Sequence, residues 1–545
     1  MDTKQLKAKI LDLAIHGKLL PLKTLDGLKN SPDYEPASKL LEKLRAEKEE
    51  KIAKGELKRD KKDSYIFIGD DNRHYEKFAD GSVKDIEDEI PFEVPEGWAW
   101  CRLGTLSETT DYIANGSFAD TRANVKFYKE KNYALLVKTQ DFNNNFTDDL
   151  TYTDKTGYNF LSKSHLFGGE LLLSNIGASI GKVLIVPKFD IPMVVAPNSI
   201  VVRTIDLLET QFLKSIMLST YGQSALVAFT AGSAMPKFNK TQLRSLLIPL
   251  PPITAQQSII SIINNISETI QVIENDKGEL ENLIKQAKSK ILDLAIHGKL
   301  VPQDPADEPA AALLEKLRAE KEAKIAKGEL KRDKNDSYIY KSTTDNCHYE
   351  KFSGKEAVCI EEEIPFEIPD SWQWTKLGRI CTKLIDGDHN PPKGIEEKTD
   401  YIMASSRNIN HDCVEDFKNV RYLTREMFEI ENQRTKAEKG DIFFTSVGTL
   451  GRSCIYNGNL NICFQRSVSI LKTQIENKYL KYFFDSPFYQ GYVLEHATGT
   501  AQLGFYLQEM SESYIAIPPL TEQKRIVSKI EELFEALDKI QSNLV

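Results

Sequence analysis

The stretch Lys290-Ile-Leu-Asp-Leu-Ala-Ile-His-Gly-Lys-Leu300 decides how this chain is organised, because residues 9–19 repeat it without change. Further copies lie outward from it at matched places. Residues 40–66 recur at 313–339, differing only at Glu50/Ala323 and Lys62/Asn335. His74-Tyr-Glu-Lys-Phe78 recurs at 348–352. Glu89-Ile-Pro-Phe-Glu-Val-Pro-Glu-Gly-Trp98 is echoed at 363–372, and Pro251-Pro-Ile-Thr-Ala-Gln256 at 518–523. Such spaced self-similarity marks a duplicated architecture, which has to be recognised before single elements are assigned.

The repeated supports read as helices. From Ile259 through Ile263, Ile266, Ile270, Ile273, Leu280, Ile284, Ala287 and Ile291 to Leu294, apolar residues alternate in spacings of three and four, broken only by Lys277. That is the a/d seam of a coiled coil. A helix over 256–297 would run about 60 Å at about 1.5 Å per residue. Gly298 and Pro302 supply its stop. The same phase returns at Ile526, Ile530, Leu533, Leu537, Ile540 and Leu544. The C-terminal segment 523–545 aligns with the first half of the central helix, and the N-terminal segment 1–19 aligns with its second half. The second copy of the long helix is thus split between the chain ends, which predicts termini that meet. A further Glu- and Lys-rich amphipathic stretch, 38–57, recurs at 311–330, each preceded by a Glu-Pro pair (Glu35-Pro36, Glu308-Pro309) where proline is tolerated.

Between the supports lie 91–255 and 365–522, similar in length and mostly unlike in sequence. They keep a faint likeness. Gly169-Glu-Leu-Leu-Leu-Ser-Asn-Ile-Gly177 resembles Gly440-Asp-Ile-Phe-Phe-Thr-Ser-Val-Gly448, and each is followed by glycine and a cation, Gly181-Lys182 and Gly451-Arg452. The expected fold class is therefore α+β: two globular α/β domains separated by long antiparallel coiled-coil helices in a cyclic, pseudo-two-fold arrangement. The expected segments are a helical region 1–90, a first domain 91–255, a central helical region 256–364, a second domain 365–522 and a terminal helix 523–545.

Composition narrows the class. With 545 residues the chain is long enough for several domains. Hydrophobic residues at 41% and charged residues at 28% exclude disordered, collagen-like and disulfide-scaffold classes. No apolar run is long enough for a transmembrane helix. The charged N-terminus has no apolar signal core, and the seven scattered cysteines include no Cys-x-x-Cys, so reduced thiols in the cytoplasm are expected. The net charge of −9, with both variable domains near neutral, does not itself advertise a nucleic-acid binder.

Catalytic signatures are missing. Asp388-His-Asn-Pro-Pro-Lys393 has a lysine where a methyltransferase Asn-Pro-Pro motif carries the aromatic residue that stacks on an everted base. No glycine-rich turn for a methyl donor precedes it, so it reads as a turn. No phosphate-binding Gly-x-x-x-x-Gly-Lys-Ser/Thr loop occurs, and the histidines form no ligand cluster. His16 and His297 sit just before helix-ending glycines, where imidazole can satisfy the last carbonyls. Trp98, Trp100, Trp372 and Trp374 recur as pairs beside prolines and read as core anchors.

Taken together, the repeats, Gly298-Lys-Leu-Val-Pro302-Gln-Asp-Pro-Ala-Asp-Glu-Pro-Ala310, and Ile248-Pro-Leu-Pro-Pro252 leading to Gln256 resemble the specificity subunit of type I restriction-modification systems, over nearly the whole chain. The resemblance implies that each variable segment is a target recognition domain reading one half of a bipartite, asymmetric site on double-stranded DNA. It implies a non-catalytic chain whose helices dock two methyltransferase subunits, joined by motor-nuclease subunits. It further implies that the chain binds no cofactor itself, with S-adenosylmethionine, ATP and Mg expected on the partners. Loops with basic and amide side chains supply the candidate DNA contacts. These are Lys138, Asn175, Ser179, Lys182, Lys237, Asn239 and Lys240 in the first domain, and Arg407, Asn408, Ser446, Thr449, Arg452, Gln465 and Arg466 in the second. The rival reading is a coiled-coil scaffold that pairs two protein ligands and has no DNA role.

Overall fold

The computed structural model describes residues 3–20, 29, 32, 34–55, 63–230, 236–328, 336–499 and 502–544. The chain divides into two compact units, Met1–Asp276 and Lys277–Val545.

In the first unit, two sheets and a helical layer stack around the variable segment. One sheet has the strand order Val183–Ile185, Leu171–Ser174, Ser199–Thr204, Ser107–Asp111, all antiparallel. The other orders Tyr152–Thr153, Ala134–Val137, Met193–Val195, His165–Leu166, and its central pair is parallel. The two-residue period of a strand decides what fills the gaps between layers. Leu172 and Val201 point to one side and pack with Leu135, Val137 and Val194 of the second sheet. Their neighbours Leu171, Leu173, Ile200 and Val202 point to the other side, onto Phe212, Leu213 and Ile216 of the helix Thr210–Leu218. The two central strands, Leu171–Ser174 and Ser199–Thr204, are buried on both faces, which is why they read as largely apolar runs rather than alternating ones, whereas the edge strand Ser107–Asp111 is polar.

The second unit repeats this layering and the order of the main sheet with different side chains, but its other sheet has three strands where the first unit has four. Its main sheet orders Cys381–Asp386, Val468–Thr473, Ile442–Thr445, Ser453–Ile455. Tyr401–Ala404 and Asn461–Phe464 form the parallel pair of its other sheet. Phe443 and Ile470 face that second sheet, while Ile442, Phe444 and Leu471 face Tyr479, Leu480 and Phe483 of the helix Asn477–Asp485. The pairs Trp98/Trp100 and Trp372/Trp374 are buried in these cores.

The long support is one helix of 44 residues, Ile253–Ile296. It starts three residues before the expected 256, because the Pro252 carbonyl accepts the Ala255 and Gln256 backbone N–H groups at 3.0 Å and so opens the first turn. It ends where Gly298 takes φ +68° and Lys299 N–H reaches the Leu294 carbonyl at 2.9 Å, a left-handed helix cap. The N-terminal helix Thr3–Ile15 ends the same way at Gly17, with φ +67°. His16 and His297 meet the Asp12 and Asp293 carbonyls through Nδ1 at 2.6 and 2.7 Å.

Within the first unit, the end of helix Thr3–Ile15 and the start of the long helix both dock on the domain, and Lys7 meets Glu274 further out at 3.0 Å. The two helices therefore run antiparallel. Within the second unit, the helix Leu520–Ser542 starts on its domain and runs against the end of the long helix, with Lys288 on Asp538 at 2.5 Å. Lys7 and Lys288 are the same position of the repeat, so both units use one lysine for this cross-helix pair.

The amphipathic stretches form the helices Ala37–Ala53 and Ala310–Ala326, shorter than the expected 38–57 and 311–330. Gly55 and Gly328, at φ +76° and +73°, follow their ends; residues 56–57 and 329–330 lie outside the described residues. Among the described residues no helix is long and apolar enough to cross a membrane.

Candidate nucleic-acid interface

Antiparallel pairing puts the ends of Ser107–Asp111 and Leu171–Ser174 beside the start of Ser199–Thr204. The connections that follow therefore gather at one edge of the domain. They are 112–118, 138–141, 175–181 and 196–198. A later segment, 236–238, returns to lie on them. Gly177 N–H donates to the Pro236 carbonyl at 3.0 Å, and Phe238 N–H donates to the Asn175 carbonyl at 3.1 Å. Two clefts open there. One of about 490 Å³ is lined by Asn175, Lys237, Asn239 and Phe118 among others. The other, of about 340 Å³, is lined by Lys138, Ser179, Thr151 and Phe127 among others. Both include Ile176, Pro197 and Asn198, which form the ridge between them.

The second domain builds the same edge from 386–390, 405–408, 446–451, 465–467 and 502–505. Gly448 N–H donates to the Leu503 carbonyl at 3.3 Å and Phe505 N–H to the Ser446 carbonyl at 2.8 Å, which repeats the pairing of the first domain. The segment 388–393 is a turn here, as its sequence suggests. Asn390 N–H caps onto Asp388 Oδ1 at 2.6 Å, and Arg421 Nη1 donates to the Pro392 carbonyl at 2.7 Å.

The fourteen candidate side chains divide by what they already hold. Lys182, Lys237, Arg407 and Arg466 are exposed, and Lys138 and Arg452 are half-buried. None of these six cations makes an ion pair among the described residues. Ser179 lines the smaller cleft, and Gln465 is half-buried beside exposed Arg466. The others are engaged in the fold. Lys240 Nζ pairs with Asp111 at 2.8 Å. Asn239 caps the helix Lys240–Arg244, with its Oδ1 accepting Gln242 N–H at 3.0 Å. Asn408 is buried; its Oδ1 accepts Ser405 N–H at 2.9 Å and its Nδ2 donates to the Asp416 carbonyl at 3.0 Å. Ser446 is buried against the Ser469 hydroxyl. Thr449 Oγ1 donates to the Ser406 carbonyl at 3.1 Å. Asn175 Nδ2 donates to the Phe238 carbonyl at 2.9 Å, while its Oδ1 is buried with no partner among the described residues.

The Lys138 loop is pinned by Asp141, whose Oδ2 accepts the Lys138 N–H at 2.8 Å. Burial pushes the Asp141 carboxyl above the usual range, against that hydrogen bond.

Two kinds of residue escape a search for basic and amide loops. Apolar side chains rim the edge: Phe118 and Phe127 are 63% and 55% exposed in the first domain, Leu503 and Tyr506 48% and 52% in the second. Supporting amides are the other kind. Gln223 Nε2 donates to the Gly181 carbonyl at 2.9 Å and to the Met217 carbonyl at 2.8 Å. Aromatics lie near the basic loops in the sequence, but each glutamine lies far along the chain, 42 residues after Gly181 and 39 after Gly451, and no local signal marks it. An edge of this make-up can hold a phosphate backbone with its free cations. Its amides and apolar rim can meet base edges and thymine methyl groups. Among the described residues no three His, Cys, Asp or Glu side chains are placed to hold a metal ion.

Known proteins share this organisation. The sequence profile described as type I restriction modification DNA specificity domain matches residues 95–282 and 369–544. The type I restriction enzyme EcoAI specificity subunit of Escherichia coli is 24% identical, over 99% of this chain and 90% of that protein. The EcoEI specificity subunit of Escherichia coli is also 24% identical, with the same coverage of 99% and 90%. A solved structure concerned with complex assembly and conformational transition of the type I R-M system has a TM-score of 0.50 at 16% identity, covering 83% of this chain and 94% of that one, and so shares the fold. The family match spans more than half of the sequence and falls once on each of the two duplicated domains, so the chain belongs to the type I restriction-modification specificity subunit family.

Proposed function

We propose that the two loop edges each read one half of a bipartite, asymmetric DNA sequence, and that the duplicated helices dock two methyltransferase subunits and, with them, motor-nuclease subunits. One observation carries this reading: two domains with the same main-sheet topology present different side chains at the same edge, on near-identical mounts. Identical mounts suit identical partners, and unlike edges suit an asymmetric site. The chain itself acts by binding. S-adenosylmethionine, ATP and Mg belong with the partners, and chemistry on DNA is theirs.

Near-neutral domains fit this division. Binding to phosphates scales with the number of cations brought to them, and six free cations shared by two edges give modest affinity unless the partners add their own. The decisive experiment exchanges 91–255 for the equivalent domain of a relative, followed by genome-wide mapping of methylated bases. Only one half of the methylated sequence should change. A change in both halves or in neither would overturn the modular reading.

A further inference from the structure

In each domain the turn that presents a cation is held by one carboxamide. Gln223 lies in the helix Thr220–Ala228, on the far side of the main sheet from the second sheet. Its Nε2 carries two N–H donors, and both are used, one on the Gly181 carbonyl at 2.9 Å and one on the Met217 carbonyl near the end of helix Thr210–Leu218 at 2.8 Å. Its Oε1 then faces the Gly181 Cα so closely that a Cβ there would stand 2.3 Å away. Gly181 has φ +87°.

The second domain repeats this atom for atom. Gln490 Nε2 donates to the Gly451 carbonyl at 2.8 Å and to the Phe484 carbonyl at 2.7 Å. A Cβ on Gly451 would stand 2.4 Å from Gln490 Oε1, and Gly451 has φ +82°. The next residue is the cation in both domains. The Lys182 carbonyl accepts Ser174 N–H at 3.2 Å, and the Arg452 carbonyl accepts Thr445 N–H at 2.9 Å. The intervening loop residues differ, Ile176-Gly-Ala-Ser-Ile180 against Val447-Gly-Thr-Leu450.

We propose that Gln223 and Gln490 are positioning residues for DNA recognition: each carboxamide clamps the Gly-cation turn to the helix pair behind the sheet and so sets the aim of Lys182 or Arg452 and of the loop before it. This rests on the DNA-reading role proposed above. Two domains whose loop side chains mostly differ at this edge keep the glutamine, the glycine that both its positive φ and the glutamine's approach require, and the cation. Both amide donors are spent on backbone carbonyls, so the glutamine acts through the turn and does not itself meet DNA.

The test uses the full chain assembled with its methyltransferase subunits. Initial methylation rates are measured on the native target and on targets with one base pair replaced in either half. Gln223→Ala should lower discrimination in the half read by the first domain by roughly tenfold, the equivalent of about 1.4 kcal/mol, and leave the other half as in the unsubstituted complex. Gln490→Ala should do the converse. Gln223→Met keeps the bulk without the donors and should act like the alanine variant, which guards against a variant that fails to fold. Equal loss on every target with both discriminations kept, or no change in either half, would overturn the proposal. The unsubstituted complex separates the two levels: if it methylates without target preference, the DNA-reading role falls and the positioning role with it.

Discussion

Gln256 Oε1 accepts the backbone N–H of Glu209 at 2.9 Å, tying the start of the long helix to the domain that precedes it. Its Nε2 donates to the Leu207 carbonyl at 2.9 Å and the Pro251 carbonyl at 3.1 Å. Gln523 does the same in the second unit, accepting Glu476 N–H at 2.9 Å and donating to the Pro518 carbonyl at 2.8 Å. Both side chains are fully buried. Each spans the junction between a variable domain and its support.

Removing either carboxamide strands buried backbone groups. An orphaned buried donor or acceptor costs about 1–3 kcal/mol, so Gln256→Ala and Gln523→Ala should each lower the calorimetric unfolding midpoint by several degrees. Midpoints equal to that of the parent chain would show that the junction is held by apolar packing alone.

The helix-ending glycines make a sharper steric prediction. A Cβ on Gly17 would lie 2.3 Å from Pro95 Cγ, and one on Gly298 2.4 Å from Pro369 Cγ. Both residues also sit at positive φ, where an L-residue costs about 1–2 kcal/mol. Gly17→Ala and Gly298→Ala should destabilise by more than that strain alone. Gly278, inside the long helix, has open space around it; Gly278→Ala should stabilise by about 0.5–1 kcal/mol. Denaturant melts of the three variants check the opposite signs.

The frame was legible because it is periodic and duplicated. The heptad run from Ile259 to Leu294 and the glycine stops at Gly17 and Gly298 are local signals, and the helices form where those signals lie. The strands were less legible. Leu171–Ser174 is apolar on both faces, so its sequence carries no alternation to separate strand from buried helix. What the candidate side chains hold was half-legible. Residue type and loop position mark Lys237, Arg407 and Arg466, which are exposed and make no ion pair among the described residues. The same rule chose Asn239, Asn408 and Ser446, whose side chains are spent on caps and buried hydrogen bonds, because a capping amide and a reading amide look alike in sequence. Gln223 and Gln490 work through partners far along the chain, and only the folded loop brings those carbonyls into reach.

Cys347 and Cys359 occupy in the second hairpin the places of Arg73 and Asp85 in the first, where Arg73 Nη2 and Asp85 Oδ2 pair at 2.7 Å. Partial burial, and then the charges of Asp345 and neighbouring groups, raise the Cys347 thiol above its ordinary range. Less thiolate is therefore present at neutral pH, and its alkylation should accelerate only above the ordinary midpoint of about 8.5. Peptide mass spectrometry after timed alkylation from pH 7 to 10 measures this. A Cys347 profile at or below that of a free cysteine peptide would contradict the geometry.

Arg407 and Asn408 are neighbours with opposite expectations. Asn408 holds the turn 405–408 by bonds to Ser405 N–H at 2.9 Å and the Asp416 carbonyl at 3.0 Å, and it is buried. Asn408→Ala should therefore cost about 1–2 kcal/mol of stability, as the loss of a cap does, and disturb DNA binding only as the turn loosens. Arg407 is exposed and makes no ion pair among the described residues. Its removal touches nothing that holds the fold, so stability should stay within about 0.5 kcal/mol. If Arg407 meets a phosphate, Arg407→Ala should weaken DNA binding evenly across sequences and reduce the slope of log affinity against log salt by about one. If it meets a base edge, discrimination should fall at one position of one half-site while the slope holds. Paired thermal melts and salt titrations of the assembled complex distinguish these results. An Arg407→Ala complex that binds and discriminates like the parent would remove this loop from the interface, whatever its neighbour does for the fold.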